Sequence, residues 1–170
     1  SLPTACPNLG PEVLSAFYGS PLEFSEGTSW SIPILEDWAD VDRLQFSMDN
    51  EYWDKIVEIT DAMLAKGRDT FYTGITDLHP GADAIAAFRD PMDLNIDMIE
   101  NPDQVKKLVE RVTQDYARIY NFYADKLVAA DQAITCWAGI VSSRKWYVPS
   151  NDFSCMISKA MFDETFLPGI

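Results

Sequence analysis

The chain has 170 residues, 47% of them hydrophobic and 12% aromatic, enough to build a core and too many for a disordered segment. Its formal charge of −14 speaks against nucleic acid and against anionic membrane surfaces, because both select clustered lysine and arginine. Three cysteines with no spacing pattern are not a disulfide framework, and there is neither a long apolar run nor a basic-then-apolar leader, so the chain reads as cytoplasmic with free thiols and no membrane contact.

In chain order, Leu2 to Cys6 is a short strand candidate ended by Pro7, Asn8 and Gly10. Pro11 suits the first turn of a helix that runs to about Tyr18, with Gly19 past its end. Ser20 to Pro33 holds turn formers without a steady period and reads as loop with a short extended piece. Ile34 to Asp49 reads as short helical turns around Leu35, Trp38, Val41, Leu44 and Phe46. Asp49 or Asn50 caps a helix to Lys66, in which Trp53, Ile56, Val57, Thr60, Met63 and Leu64 keep a 3.6-residue period, and Gly67 stops it.

Thr70 to Thr76 is β-branched and aromatic, as a buried extended segment prefers. Pro80 and Gly81 break it, and Ala82, Ile85, Ala86 and Phe88 take up helical spacing. The corner between strand and helix carries Asp77 and His79, the only histidine of the chain. Pro91 to Glu100 reads as one short helix. Asn101-Pro102-Asp103 is a cap, a proline at the first position and an acid in the first turn, opening a long helix to about Ala130. Ala133 to Trp137 and Trp146 to Val148 are extended candidates, Pro149 to Asp152 is a polar corner, and Ser158 caps a last helix with Met161, Phe162 and Phe166 inward.

Alternation of strand and helix implies parallel pairing with helical crossovers. Roughly four strands in a chain this short cannot close an eight-stranded barrel, which needs about 250 residues. The expectation is one α/β unit over residues 1–170, either a small open layer or a piece of a larger barrel, with ligands beyond the carboxyl ends of the strands.

Three segments, LGPEVLSAFYG, LHPGADAIAAFRDPMDLNIDMIENPDQVKKLVERVT and NDFSCMISKAMFDETFLPGI, resemble the uroporphyrinogen decarboxylase superfamily, which also holds cobalamin-dependent and coenzyme M methyltransferases. The resemblance implies a partial (β/α)₈ TIM barrel, the front-to-middle part of a longer parent. The arginine-rich loop of the decarboxylases has no counterpart here. The carboxyl-terminal strands that carry the zinc-binding histidine and cysteines of the methyltransferases have none either.

Two residues are candidates for catalysis. His79 at the corner can bind a substrate acid or a metal, against a plain backbone-bonded corner residue. Asp152 matches a pocket-facing polar position of the superfamily and can hold a cationic or hydroxylated ligand or shuttle a proton, against closing a turn with Ser154. The substrate-binding set is Asn8, Asp77, Phe88, Trp137 and Ser154. Asp77 orients an imidazole or a substrate amine, or else caps the helix at Gly81. Phe88 falls where the decarboxylases have a pocket tyrosine, so the resemblance implies a lost hydroxyl there. Trp137 and Trp146 are an aromatic wall or core tryptophans. Arg89 is an anion ligand or an exposed partner of Asp90. No spacing supports a metal site within the chain.

Three functions stay open. The resemblance and the acidity point first to a parent enzyme that is a corrinoid-dependent methyltransferase, with zinc and a corrinoid as cofactors outside this chain and a corrinoid protein as partner. The alternative is a uroporphyrinogen decarboxylase of porphyrin biosynthesis. The third is an inactive fragment that only binds a tetrapyrrole or corrinoid. An open half barrel exposes sheet edges, so self-association is expected.

Overall fold

The computed structural model describes residues 3–170, and the expected first strand lies inside it except for Leu2. Strand β1 is Thr4–Ala5, and Pro7 behind it has no N–H for a further ladder rung. Helix α1 keeps only Val13–Ala16 of the helix expected from Pro11 to Tyr18. The segment read as loop forms an antiparallel hairpin, β2 at Leu22–Phe24 and β3 at Ser29–Ser31, with Leu22 opposite Ser31 and Phe24 opposite Ser29. A 3₁₀ turn follows at Trp38–Arg43, with Asp37 capping it by accepting from Ala39 N–H.

Helix α2 spans Glu51–Gly67, and Asn50 caps it by accepting from the N–H groups of Tyr52 and Trp53. Strand β4 is Tyr72–Thr73, and it pairs parallel to β1 with Thr4 opposite Tyr72 and Ala5 opposite Thr73. Helices α3 (Ala82–Arg89), α4 (Pro91–Glu100) and α5 (Pro102–Ala129) come in quick succession. Asp90, at φ +88°, caps α4 through its carboxylate on Met92 N–H. Asn101 makes no side-chain cap on α5; its amide donates to Asp97 instead, at 2.9 Å. A 3₁₀ turn at Asp152–Met156, helix α6 at Lys159–Thr165 capped by Ser158, and a final turn at Leu167–Gly169 complete the described chain.

The expected partial TIM barrel is not present. The one parallel pair among the described residues is two residues long, the other sheet is an antiparallel hairpin, and helix dominates the rest. A barrel requires each strand to be laddered to the next in a regular stagger, and no such register exists here. The extended run from Thr70 does bond on both sides: Gly74 N–H donates to Ala5 O and Ile75 N–H to Thr135 O. The first side adds a bond from Tyr72 N–H to Pro3 O, and the second has the Ile75 bond alone among the described residues; the segment 133–137 turns back at Gly139 (φ +67°), closing one antiparallel bridge between Ile134 and Ser142. Trp146 to Val148 forms no strand. Long unpaired strand edges, the reason to expect self-association, are therefore absent from the described residues.

The core lies between the extended segments and the helices. α5 buries Val105, Leu108, Val112, Ile119, Tyr123 and Leu127 on one face, and Trp53 from α2 packs on Phe17, Phe122 and Tyr123 with ring centroids 4.8–5.2 Å apart. Aromatic contacts of this kind add to the apolar area they bury. No helix is long and apolar enough to cross a membrane among the described residues.

Candidate functional site

The corner after β4 runs through Thr76, Asp77, Leu78 and His79 into the Pro80-Gly81 break. Gly81 has φ +66°, a conformation that a side chain resists, and a Cβ there would stand 2.8 Å from Asn151 Oδ1. That same oxygen accepts from Ala82 N–H at 3.2 Å, so Asn151 and not Asp77 satisfies the start of α3. Asp83, in the first turn of α3, reaches across to the 152–156 turn. Its Oδ1 accepts from Phe153 N–H at 2.8 Å and its Oδ2 from Asp152 N–H at 3.0 Å.

His79 stands between two carboxylates. Its Nδ1 is 3.1 Å from Asp83 Oδ2, and its Nε2 is 3.2 Å from Asp77 Oδ1. Asp77 Oδ1 is buried and takes no conventional hydrogen bond, so the imidazole is its one close cationic neighbour. Burial works against charge on the ring, but the contacts with Asp77 and Asp83 outweigh it and raise the imidazole pKa to about 9. Burial likewise opposes ionisation of Asp83, and its bonds from His79, Phe153 N–H and Asp152 N–H outweigh that and hold its carboxyl below the ordinary range. At neutral pH the imidazole is therefore held charged between these two acidic side chains.

Two clefts flank this array. The first, of about 280 Å³, is lined by Glu12, His79, Asp83, Asp152, Phe153 and Met156 among others. The second, of about 270 Å³, is lined by Cys6, Asn8, Asp77, Cys136 and Trp137 among others. The Asp77–His79 pair is the link between them. No lysine or arginine lines either cleft.

The structure thus brings His79 and Asp152 to one cleft, and Asn8, Asp77 and Trp137 to the other. Trp137 is 47% exposed, its indole N–H donating to Val148 O at 3.0 Å. Trp146 is not a wall beside it: it packs against the core and donates to Ile134 O at 3.1 Å. Phe88 is a correction. It is fully buried and packs on Tyr18 with ring centroids 5.0 Å apart, facing neither cleft. Ser154 lines neither cleft; its backbone N–H donates to Asn151 O at 3.0 Å and its carbonyl accepts from Ile157 N–H at 3.5 Å. Arg89 does not pair with Asp90. Its Nε lies 2.7 Å from buried Asp97, and its Nη1 donates to the carbonyls of both Leu35 and Glu36.

Asp83, Asn151 and Glu12 are the residues that sequence reasoning missed. Asp83 had a legible signal, standing four residues after His79 on the first turn of a helix, where side chains meet. Asn151 and Glu12 had none, because their partners lie across the fold.

His79, Asp83 and Asp152 place ligand atoms within 4.8 Å of one another, the one such group among the described residues. The donor set does not fit a metal. Both ring nitrogens face carboxylates, and both Asp83 oxygens already accept backbone N–H groups. A metal ligand needs a free lone pair on a neutral imidazole. The thiol of Cys6 is pushed up to about 11 by burial and by nearby Cys136 and Asp77. Sites that enclose drug-sized ligands run to roughly 300–1,000 Å³, and both clefts stand at the lower edge of that range, which suits a small ligand better than a flat macrocycle. No family model and no curated protein gives a significant match to this chain.

Proposed function

We propose that the chain carries the substrate side of a methyl-transferring enzyme akin to the uroporphyrinogen decarboxylase superfamily, and that the first cleft takes a small neutral or cationic substrate. The observation that supports this is the charged imidazole of His79, held between Asp77 and Asp83 on a cleft with no lysine or arginine in its lining. An atom that gives up a methyl group to an acceptor retains the bonding electron pair and needs a proton. His79 is the proton donor in this reading, and the exposed carboxylate of Asp152 orients a hydroxyl or ammonium group of the substrate.

The corrinoid of this reading has no seat in either cleft, so no step of this chain runs through it. A separate corrinoid protein as partner accommodates that. The decarboxylase alternative is the weaker one, because a polycarboxylate substrate would face Glu12, Asp83 and Asp152 with only the His79 imidazolium, itself between two carboxylates, as counter-charge. The buried Phe88 does not bear on the choice.

The test uses the protein from its complete reading frame, with cob(I)alamin as methyl acceptor and candidate methoxy or methylamine donors, followed by the cobalamin absorption spectrum. Formation of methylcobalamin that is lost in His79→Gln supports the reading. No conversion with any donor, or consumption of uroporphyrinogen instead, overturns it.

A further inference from the structure

Tyr147 sits outside both clefts, yet its hydroxyl grips the backbone on either side of Asp77. It accepts from Leu78 N–H at 2.6 Å and donates to Thr76 O at 2.9 Å. The ring is held by Tyr116 and Tyr120, each with ring centroid 5.9 Å away and tilted edge-on. Burial pushes the Tyr147 phenol well above its ordinary pKa, so the hydroxyl stays a neutral donor and acceptor throughout the working range. No strand ladder continues past Ile75, so nothing in regular secondary structure fixes the peptides that flank Asp77.

We propose that Tyr147 is a positioning residue, whose single hydroxyl closes the peptide loop around Asp77 and so aims its carboxylate at His79 Nε2. The geometry requires it: a carboxylate aims where its backbone aims it, and the two backbone groups next to Asp77 both end on this one oxygen. The segment 147–153 then holds the corner at three points. Tyr147 fixes residues 76 to 78, Asn151 fixes the turn into α3, and the N–H groups of Asp152 and Phe153 fix Asp83. Both carboxylates that face His79 are therefore set by one stretch about 70 residues downstream. The inference rests on His79 being the proton donor of the first cleft, but its readout is titration and not turnover, so the two readings fail separately.

The experiment is an NMR titration of the single histidine in the native chain, in Tyr147→Phe and in Tyr120→Phe. Tyr147→Phe keeps the ring and removes only the hydroxyl. Tyr120→Phe removes a comparable bond, from Tyr120 to Trp146 O at 3.0 Å, one residue away and without contact to the corner. The expected result is that proton binding by His79 weakens about tenfold in Tyr147→Phe and is unchanged in Tyr120→Phe. Equal His79 titration in Tyr147→Phe and the native chain overturns the proposal, as does an equal shift in both variants. Should Tyr147→Phe fail to fold, amide exchange in the native chain decides: a Leu78 N–H that exchanges at the unprotected rate refutes the bond on which the proposal stands, and a protected one upholds it.

Discussion

The carboxylate of Asp83 accepts a hydrogen bond from the backbone N–H of Phe153 at 2.8 Å, joining the first turn of α3 to a 3₁₀ turn 70 residues later. Its other oxygen serves both Asp152 N–H and His79. One side chain thus shapes the floor of the first cleft and the charge of its histidine.

Replacing Asp83 by Ala removes two bonds from backbone N–H groups, one half-buried and one exposed, to a charged acceptor, each worth at most about 1.5–3 kcal/mol. The expected loss of stability is about 3 kcal/mol by urea denaturation, with His79 losing proton affinity at the same time. A loss below about 1 kcal/mol would show that the 152–156 turn satisfies itself.

Stability has an alkaline limb set by His79. Its folded pKa, about 9, is above the ordinary 6.5, so its contribution is complete below pH 6.5 and is lost as pH rises through 9. Asp77, Asp83, Asp152 and Glu12 are the charged groups that face it or line its cleft. Allowing for solvent at the cleft, the loss is about 1–2 kcal/mol. Urea midpoints measured from pH 6 to 10 check it, and His79→Gln abolishes this limb. Asp83 acts in the opposite sense: its lowered pKa stabilises above the ordinary carboxylate range, and that is lost on acidification.

Asp97 is 2% exposed and its partner Arg89 is bonded to it at 2.7 Å and to two carbonyls. Burial opposes charge on Asp97, and the guanidinium beside it overcomes that and holds its carboxyl below the ordinary range. Asp97→Ala leaves a half-buried guanidinium without its carboxylate and is expected to cost about 3 kcal/mol in thermal or urea unfolding. Replacing both residues together costs less than the sum, in a double-mutant cycle.

Phe88→Tyr places a hydroxyl in a position with no exposure at all. The expected outcome is a loss of about 1–3 kcal/mol and no gain of decarboxylation. Native-like stability in this variant would mean that the position reaches a polar cavity.

Gly81→Ala forces a side chain into φ +66° and against Asn151 Oδ1. A loss of about 1–2 kcal/mol is expected, together with a perturbed Ala82 amide resonance as Asn151 lets go of it. An unchanged Ala82 resonance would separate backbone strain from the contact.

What the sequence determined by itself is local. The helix starts at Asn50 and Ser158 were legible because a cap is a bond between neighbours two or three residues apart, and the same holds for Pro102 at the first position of α5. The corner at residues 77–81 was legible because Pro and Gly punctuate the backbone wherever they stand. Tertiary structure decided the rest. Strand-like composition did not make a barrel, since a ladder exists only when a partner backbone lies alongside, and Pro7 and the turn at Gly139 cut the partners short. Periodicity placed Phe88 on an apolar helix face but could not say that Tyr18 would cover it, and charge spacing could not foresee that Arg89 would choose Asp97 over Asp90. The site itself is the clearest case. Asp77 and His79 are near neighbours in the chain, but the charge of the imidazole and the aim of the carboxylate depend on Asp83, Tyr147 and the N–H groups of Asp152 and Phe153, brought together by packing between residues about 70 apart.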